Sequence, residues 1–311
     1  VPDLLLSCAA IRKVPDWLPW AGEAPKLLEW PGVPTEGGHP SWQRAALSLR
    51  DSDGAILPNL LGRYRQFLGF DAASVGRIAV VGFSAGSNSG VRALLESPLD
   101  RARVDFVAAV DGMHPTLAPQ TRGVRRFSTS DVESQYAAWG QQMGPFAAYA
   151  LDAASGSGMF IGTASAIVHP IRTVASTMLA LGSLFDWVAS HVGPSSPNLP
   201  ASFPPRTDSP SLRAGEVYPT PYQMLGAGNF VAAWYPGADS RAHELQAWVV
   251  VPDILRAFLV PRWGGPSPGL VSFDREPSDP APTSSPSHGA PNWTPLALSF
   301  PAAVAVALSP R

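Results

Sequence analysis

The chain has 311 residues, which suits one large domain with insertions or two small ones. Apolar residues make up 45% and charged residues only 15%, against about a quarter in an average domain, and the formal net charge is −2. There is no long basic run, so nucleic acid is not an expected partner; the one cysteine, Cys8, excludes an intramolecular disulfide and a cysteine-built metal site; no run of about twenty apolar residues reads as a membrane span.

Taken in order, residues 3–10 read as an early strand running into a loop. Trp17, Trp20, Trp30 and Trp42 follow among prolines and glycines, which reads as irregular loops pinned by buried tryptophans. Between 55 and 69, Ile56, Leu57, Leu60, Leu61, Tyr64, Phe67 and Leu68 recur at helical spacing and predict an amphipathic helix ending at Gly69. Arg77 to Glu96 then reads as a strand rich in β-branched residues, a Gly82-Phe83-Ser84-Ala85-Gly86 turn and a helix with Val91, Leu94 and Leu95 on one face. Val104–Val110 is the next strand, ending at Asp111-Gly112-Met113-His114, and Met159–Val168 a further one, ending at His169-Pro170. Apolar helices are expected at 130–153 and about 172–190, within blocks at 125–158 and 172–200 that would form a cap over the cleft, with a Pro/Ser-rich loop at 194–222 and a last sheet strand at Asn229–Tyr235. A helix starting near Arg241 carries His243; Pro252 should kink or restart it before it ends at Trp263. The remainder, 264–311, reads as a Pro/Ser-rich C-terminal arm. The chain opens at Val1 with nothing like an intact signal peptide, which predicts a mature or trimmed form. The helix–strand alternation predicts an α/β fold, a mostly parallel sheet flanked by helices.

Strand, Gly-x-Ser-x-Gly and helix together form the nucleophile-elbow pattern. The two glycines let strand and helix approach closely, and Ser84 stands at the apex beside the unpaired first amides of a helix. A phosphate cradle is disfavoured, since no Gly-x-Gly-x-x-Gly and no Lys after the last glycine are present. A serine hydroxyl needs a base, and the base an orienting acid. Of the six histidines, His243 follows the last strand by a short loop and fits the base best. His39 and His288 lie in loop or low-complexity sequence, His191 ends a helix, and His169 precedes a rigid proline. Asp111, at a strand's carboxyl end, takes the acid role, with Asp239 as its rival four residues before His243. The amide of Ala85 is one expected oxyanion donor, and the loop at Cys8–Ala10 supplies the second through Ala9. Phe83 and His114 are expected beside the substrate.

The run Val81-Gly82-Phe83-Ser84-Ala85-Gly86, then Asp111, then His243 resembles the α/β-hydrolase superfamily in motif and in chain order. The likeness covers about 1–263 in organisation, with a core in two parts (1–124 and 201–263) and a helical cap insertion at 125–200 that lends one core strand near 159–168. It implies Ser84 as nucleophile, His243 as general base and acid, Asp111 as orienting acid and Ala85 as oxyanion donor. No His-Gly or Gly-Gly motif stands near the start, and the acid follows the strand next to the elbow rather than the one after. The expected activity is a serine hydrolase acting on small-molecule or polymeric esters, with no metal and no cofactor. A peptidase or amidase of the same fold and a catalytically silent binding domain are the alternatives. The peptidase would be signalled by paired carboxylates in the cap helices, which the sequence lacks.

Overall fold

The structure is a computed structural model that describes residues 1–16, 18–34, 40–69, 74–115, 132–167, 175–193, 212–217 and 219–264. Its centre is a seven-stranded sheet: β1 (Leu4–Cys8), β2 (Lys26–Glu29), β3 (Ile78–Phe83), β4 (Val104–Val110), β5 (Met159–Ala164), β6 (Gln223–Ala227) and β7 (Phe230–Trp234), in the order β2-β1-β3-β4-β5-β7-β6. All neighbours run parallel except the β6–β7 hairpin. The α/β class and the parallel sheet expected from the sequence are therefore present.

The inner strands are apolar apart from Ser7, Asp105 and Thr163, because both faces of the sheet are covered. Side chains alternate between the faces. Leu4, Leu6, Ile78, Val80, Val107, Ala109, Phe160, Phe230, Ala232 and Trp234 belong to one core. Leu5, Ala79, Val81, Phe106, Ala108, Val110, Ile161, Val231 and Ala233 belong to the other. The first core is closed by α1 (Trp42–Leu47), α2 (Leu57–Leu68), α3 (Arg92–Glu96), α5 (Val132–Ala154) and α6 (Thr177–Val192), after the short α4 (Pro98–Arg103). The second is closed by the last helical stretch, which begins with α7 (Ser240–Leu245) and runs on to Trp263.

In the described residues, the two blocks expected as a cap are sheet-flanking helices. Phe146, Tyr149 and Ala150 of α5 and Leu181 and Leu184 of α6 are buried in the first core, with Phe146 and Tyr149 against Phe160 and Phe185 of α6 against Phe230 and Trp234. Residues 116–131, 194–211 and the arm from 265 onward lie outside the described residues, as do Trp17, His39, His169 and His288. The buried tryptophans of the early loops are Trp30 and Trp42, joined by a 2.8 Å hydrogen bond from Trp42 Nε1 to the Trp30 carbonyl.

Two strands add to the sequence reading. β2 forms one edge of the sheet, and β6 forms the other by folding back through Gly228-Asn229. Gly228 sits at φ 55°, and a β-carbon there would lie 2.1 Å from the Ala154 carbonyl oxygen, so only glycine fits. The expected break at Pro252 is instead absorbed. The turns Gln246–Val250 and Leu255–Leu259 widen to π-helical geometry, each just ahead of a proline-bearing turn, Val251–Ile254 and Val260–Trp263. The widened turn gives the ring room and needs no amide from proline.

That continuous rod crosses the sheet and is fastened at its far end. Asp105, near the start of β4, accepts from Arg262 Nε and Nη2 at 2.9 and 2.7 Å and from Trp263 Nε1 at 2.7 Å. Strand register places the opposite ends level. Cys8 pairs with Gly82, Phe83 with Val110, Val110 with Thr163, and Ala164 with Trp234. The loops carrying Ala9, Ser84, Asp111 and the approach to His243 thus leave the sheet at one edge, where open α/β sheets place their sites.

Candidate functional site

The site is built on the bend after β3. Ser84 has φ 51°, a left-handed conformation that disfavours a side chain by about 1–3 kcal/mol. The surroundings hold it there. Its amide donates to the Val110 carbonyl at 3.0 Å, and its carbonyl accepts from the Asn88 amide at 3.1 Å. Three glycines allow the approach. A β-carbon on Gly82 would come within 2.4 Å of Val91 Cγ2, on Gly86 within 1.9 Å of the Cys8 carbonyl oxygen, and on Gly112 within 2.3 Å of the Ser84 carbonyl oxygen. At Gly86 the obstacle is backbone, so no rotamer relieves it. Gly86→Ala is expected to cost at least about 2 kcal/mol in urea unfolding, while Gly22→Ala, with open space around it, stays within about 0.5 kcal/mol. Equal midpoints for the two variants would show that the bend does not depend on this contact.

Asp111 follows β4, fully buried, at φ 41°. Its amide donates to the Thr163 carbonyl at 3.0 Å. Its carboxylate accepts four hydrogen bonds: Oδ1 from the Ser165 amide at 2.9 Å and Thr177 Oγ1 at 2.5 Å, Oδ2 from Ser165 Oγ at 2.5 Å and His243 Nδ1 at 2.7 Å. Burial by itself raises the pKa of this group. The bonds from His243, Ser165 and Thr177 outweigh burial and hold the carboxyl below the ordinary carboxylate range. Thr177 is the first residue of α6, so the positive end of that helix also faces the carboxylate.

His243 comes from α7, and its ring lies 4.6 Å from the Phe83 ring, centroid to centroid, with its side chain 20% exposed. Phe83, the residue before Ser84, thus supports the imidazole from one side. Asp239, the rival acid, is the helix cap: its Oδ1 accepts from the Ala242 amide at 2.7 Å. Arg241 forks onto Glu216 at 2.8 and 2.7 Å and draws that carboxyl down to about 2, tying the segment before β6 to the start of α7. His114, three residues after Asp111, has Nδ1 3.4 Å from the Ala175 carbonyl.

Beside the bend, the loop after β1 turns at Ala9, φ 59°. Buried Ser7 organises it. Ser7 Oγ accepts from the Ala10 and Ile11 amides at 3.2 and 2.9 Å and donates to the Ile11 carbonyl at 2.7 Å. Ala9 and Ala85 are both exposed, and the Gly86–Cys8 contact holds their two segments together. Cys8 itself is buried, which pushes its thiol pKa far up and leaves it unreactive. No cluster of metal-ligating side chains occurs among the described residues.

Ser7, Thr163, Ser165, Thr177 and Gln246 form the hydroxyl and amide support of this edge, and the sequence reading missed them. The faint signal was position: Ser7, Thr163 and Ser165 are polar residues at the carboxyl ends of otherwise apolar strands. The arrangement places a hydroxyl-bearing bend, an imidazole anchored through one nitrogen to a buried carboxylate, and the exposed loop residues Ala9 and Ala85 at one sheet edge. No protein-family model, curated protein or solved structure matches the chain.

Proposed function

We propose that the chain is a serine hydrolase of the α/β-hydrolase type that cleaves carboxylic esters through an acyl-enzyme on Ser84. The observation that carries this reading is the 2.7 Å hydrogen bond between His243 Nδ1 and the buried Asp111 carboxylate, beside a serine held at positive φ on a strand–helix bend. Donation from Nδ1 fixes the neutral imidazole with its lone pair on Nε2, the state a general base needs.

Ser84 Oγ attacks the ester carbonyl carbon while its proton passes to His243 Nε2. Asp111 stays ionised and stabilises the imidazolium. The tetrahedral oxyanion accepts hydrogen bonds from the Ala85 amide and, on the other side, from Ala9. Collapse breaks the bond to the alcohol oxygen, which takes the proton from Nε2. Water then repeats the sequence on the acyl-enzyme and releases the acid. Phe83 and His114 border the acyl group in this scheme.

The test is covalent labelling with a fluorophosphonate. One phosphonyl adduct on the Ser84 peptide is expected in the native protein and none in Ser84→Ala. Absence of labelling on the folded native protein, confirmed by circular dichroism, overturns the reading in favour of a silent binding domain.

A further inference from the structure

Asp111 and His243 are joined twice. The direct link is the carboxylate–imidazole bond. The second runs through buried side chains: the Asp111 amide shares its hydrogen between the Thr163 carbonyl at 3.0 Å and Thr163 Oγ1 at 3.2 Å, and Thr163 Oγ1 donates to Gln246 Oε1 at 2.9 Å. Gln246 lies one turn beyond His243, and its own amide donates to the His243 carbonyl. The links close into a ring: Asp111 carboxylate, His243, Gln246, Thr163, Asp111 amide. Thr163 is 0% and Gln246 1% exposed, so water does not compete for either group.

The ring stands where the last helix is least determined by its own backbone. Gln246 opens the first π-helical turn, at which the register of the helix changes. Leu245 and Val249 pack in a small cluster with Leu212, the rod joins the sheet's second core from Val250 on, and its fastening to Asp105 lies at Arg262. At the His243 end, the half-buried Arg241–Glu216 fork holds the start of α7, and the fully buried Thr163 hydroxyl holds the turn that carries Gln246. A threonine hydroxyl has one proton, and here it accepts from one side and donates to the other, so its polarity is fixed in both directions.

We infer that Thr163 and Gln246 are positioning residues for the base: their hydrogen bond sets the register of the His243 helix against Asp111 and thereby aims Nε2 at Ser84. The inference rests on the proposed hydrolase reading for its catalytic consequence, and on the hydrogen-bond ring alone for its structural one. Neither residue touches the reacting atoms. A change of register at Gln246 would leave the substrate-facing loops in place and misalign the proton transfer.

The variants are Thr163→Val, which keeps the shape and deletes the hydroxyl; Thr163→Ser, which restores it; Gln246→Leu; and the Thr163→Val/Gln246→Leu pair. Each is examined on the full chain for p-nitrophenyl butyrate turnover and for the low-field proton resonance of His243 Nδ1–H. Thr163→Val and Gln246→Leu are each expected to lower kcat about tenfold with KM changed less than about twofold, and to shift or broaden the resonance. The double variant lies no lower than Thr163→Val, because that variant already lacks the bond that Gln246→Leu deletes. Thr163→Ser returns to within about threefold of native kcat.

Native kcat and an unmoved resonance in Thr163→Val, or equal losses in Thr163→Val and Thr163→Ser, overturn the inference while leaving the hydrolase reading intact. A native protein without ester turnover in which Thr163→Val still moves the resonance sinks the hydrolase reading and supports the positioning bridge. Urea midpoints locate any unfolded variant, and Thr163→Ser, the smallest change, then carries the comparison.

Discussion

Ser84→Ala and His243→Ala are each expected to lower kcat for a short p-nitrophenyl ester by about 10⁵-fold, and the double variant is expected to fall no further. The reasoning lies in the shared proton. Without the hydroxyl, the imidazole has nothing to deprotonate. Without the imidazole, the hydroxyl is almost fully protonated at neutral pH and attacks poorly. Each deletion thus removes the whole unit. In the proposed mechanism the Ala85 and Ala9 amides still stabilise the oxyanion without either side chain, and such donors typically leave about 10³–10⁴-fold over water. Ser84→Ala is mild for folding, since Ser84 is only half-buried, while His243→Ala also takes a partner from the buried Asp111 carboxylate and is expected to cost about 1–3 kcal/mol. The measurement is initial-rate hydrolysis with active protein confirmed by thermal unfolding. Additive losses in the double variant would mean that the two groups act separately and that the proton relay is absent.

The parts of this site legible in the sequence were those with a local signature. The β-branched run Ile78–Val81 and its flanking glycines announce a buried strand and a tight turn within ten residues. Asp111 is legible because an apolar strand stops at it, and His243 because a helix starts just before it. The partners of Asp111 have no such mark. Ser165 and Thr177 lie 54 and 66 residues away, and a hydroxyl that donates to a carboxylate looks the same in sequence as one that faces water. The two edge strands were hidden for a different reason. β2 is four residues with only Leu28 buried, so it has no apolar alternation to read. β6 owes its conformation to pairing with β7, and Gly226 within it weakens any local strand preference. Cap and flanking helices share one composition, since both bury an apolar face; only the strand they pack on separates them, and α5 and α6 pack on the sheet.

Asp111→Asn tests the carboxylate without emptying its pocket. The asparagine can keep Oδ1 toward the Ser165 amide and Thr177 Oγ1. Its Nδ2 then faces Ser165 Oγ, which can rotate to accept, and His243 Nδ1, which must become an acceptor. The imidazole proton moves to Nε2, and that nitrogen can no longer take the proton of Ser84. kcat is expected to fall about 10⁴-fold with KM little changed. Stability should fall by at least about 1–3 kcal/mol at neutral pH, since all four bonds lose their charge assistance and the two at the substituted atom must reverse direction. The pH dependence gives a second reading. The folded-state pKa of Asp111 is depressed, so its contribution is fully present above the unfolded carboxylate value of about 3.9 and is lost as pH falls from there through the folded value. The gap in unfolding free energy between native protein and Asp111→Asn should therefore narrow as pH falls below about 4. A gap that stays constant through pH 3 would show that the carboxylate's charge contributes nothing to folding, and near-native kcat in the same variant would show that Asp111 does not set the tautomer of His243.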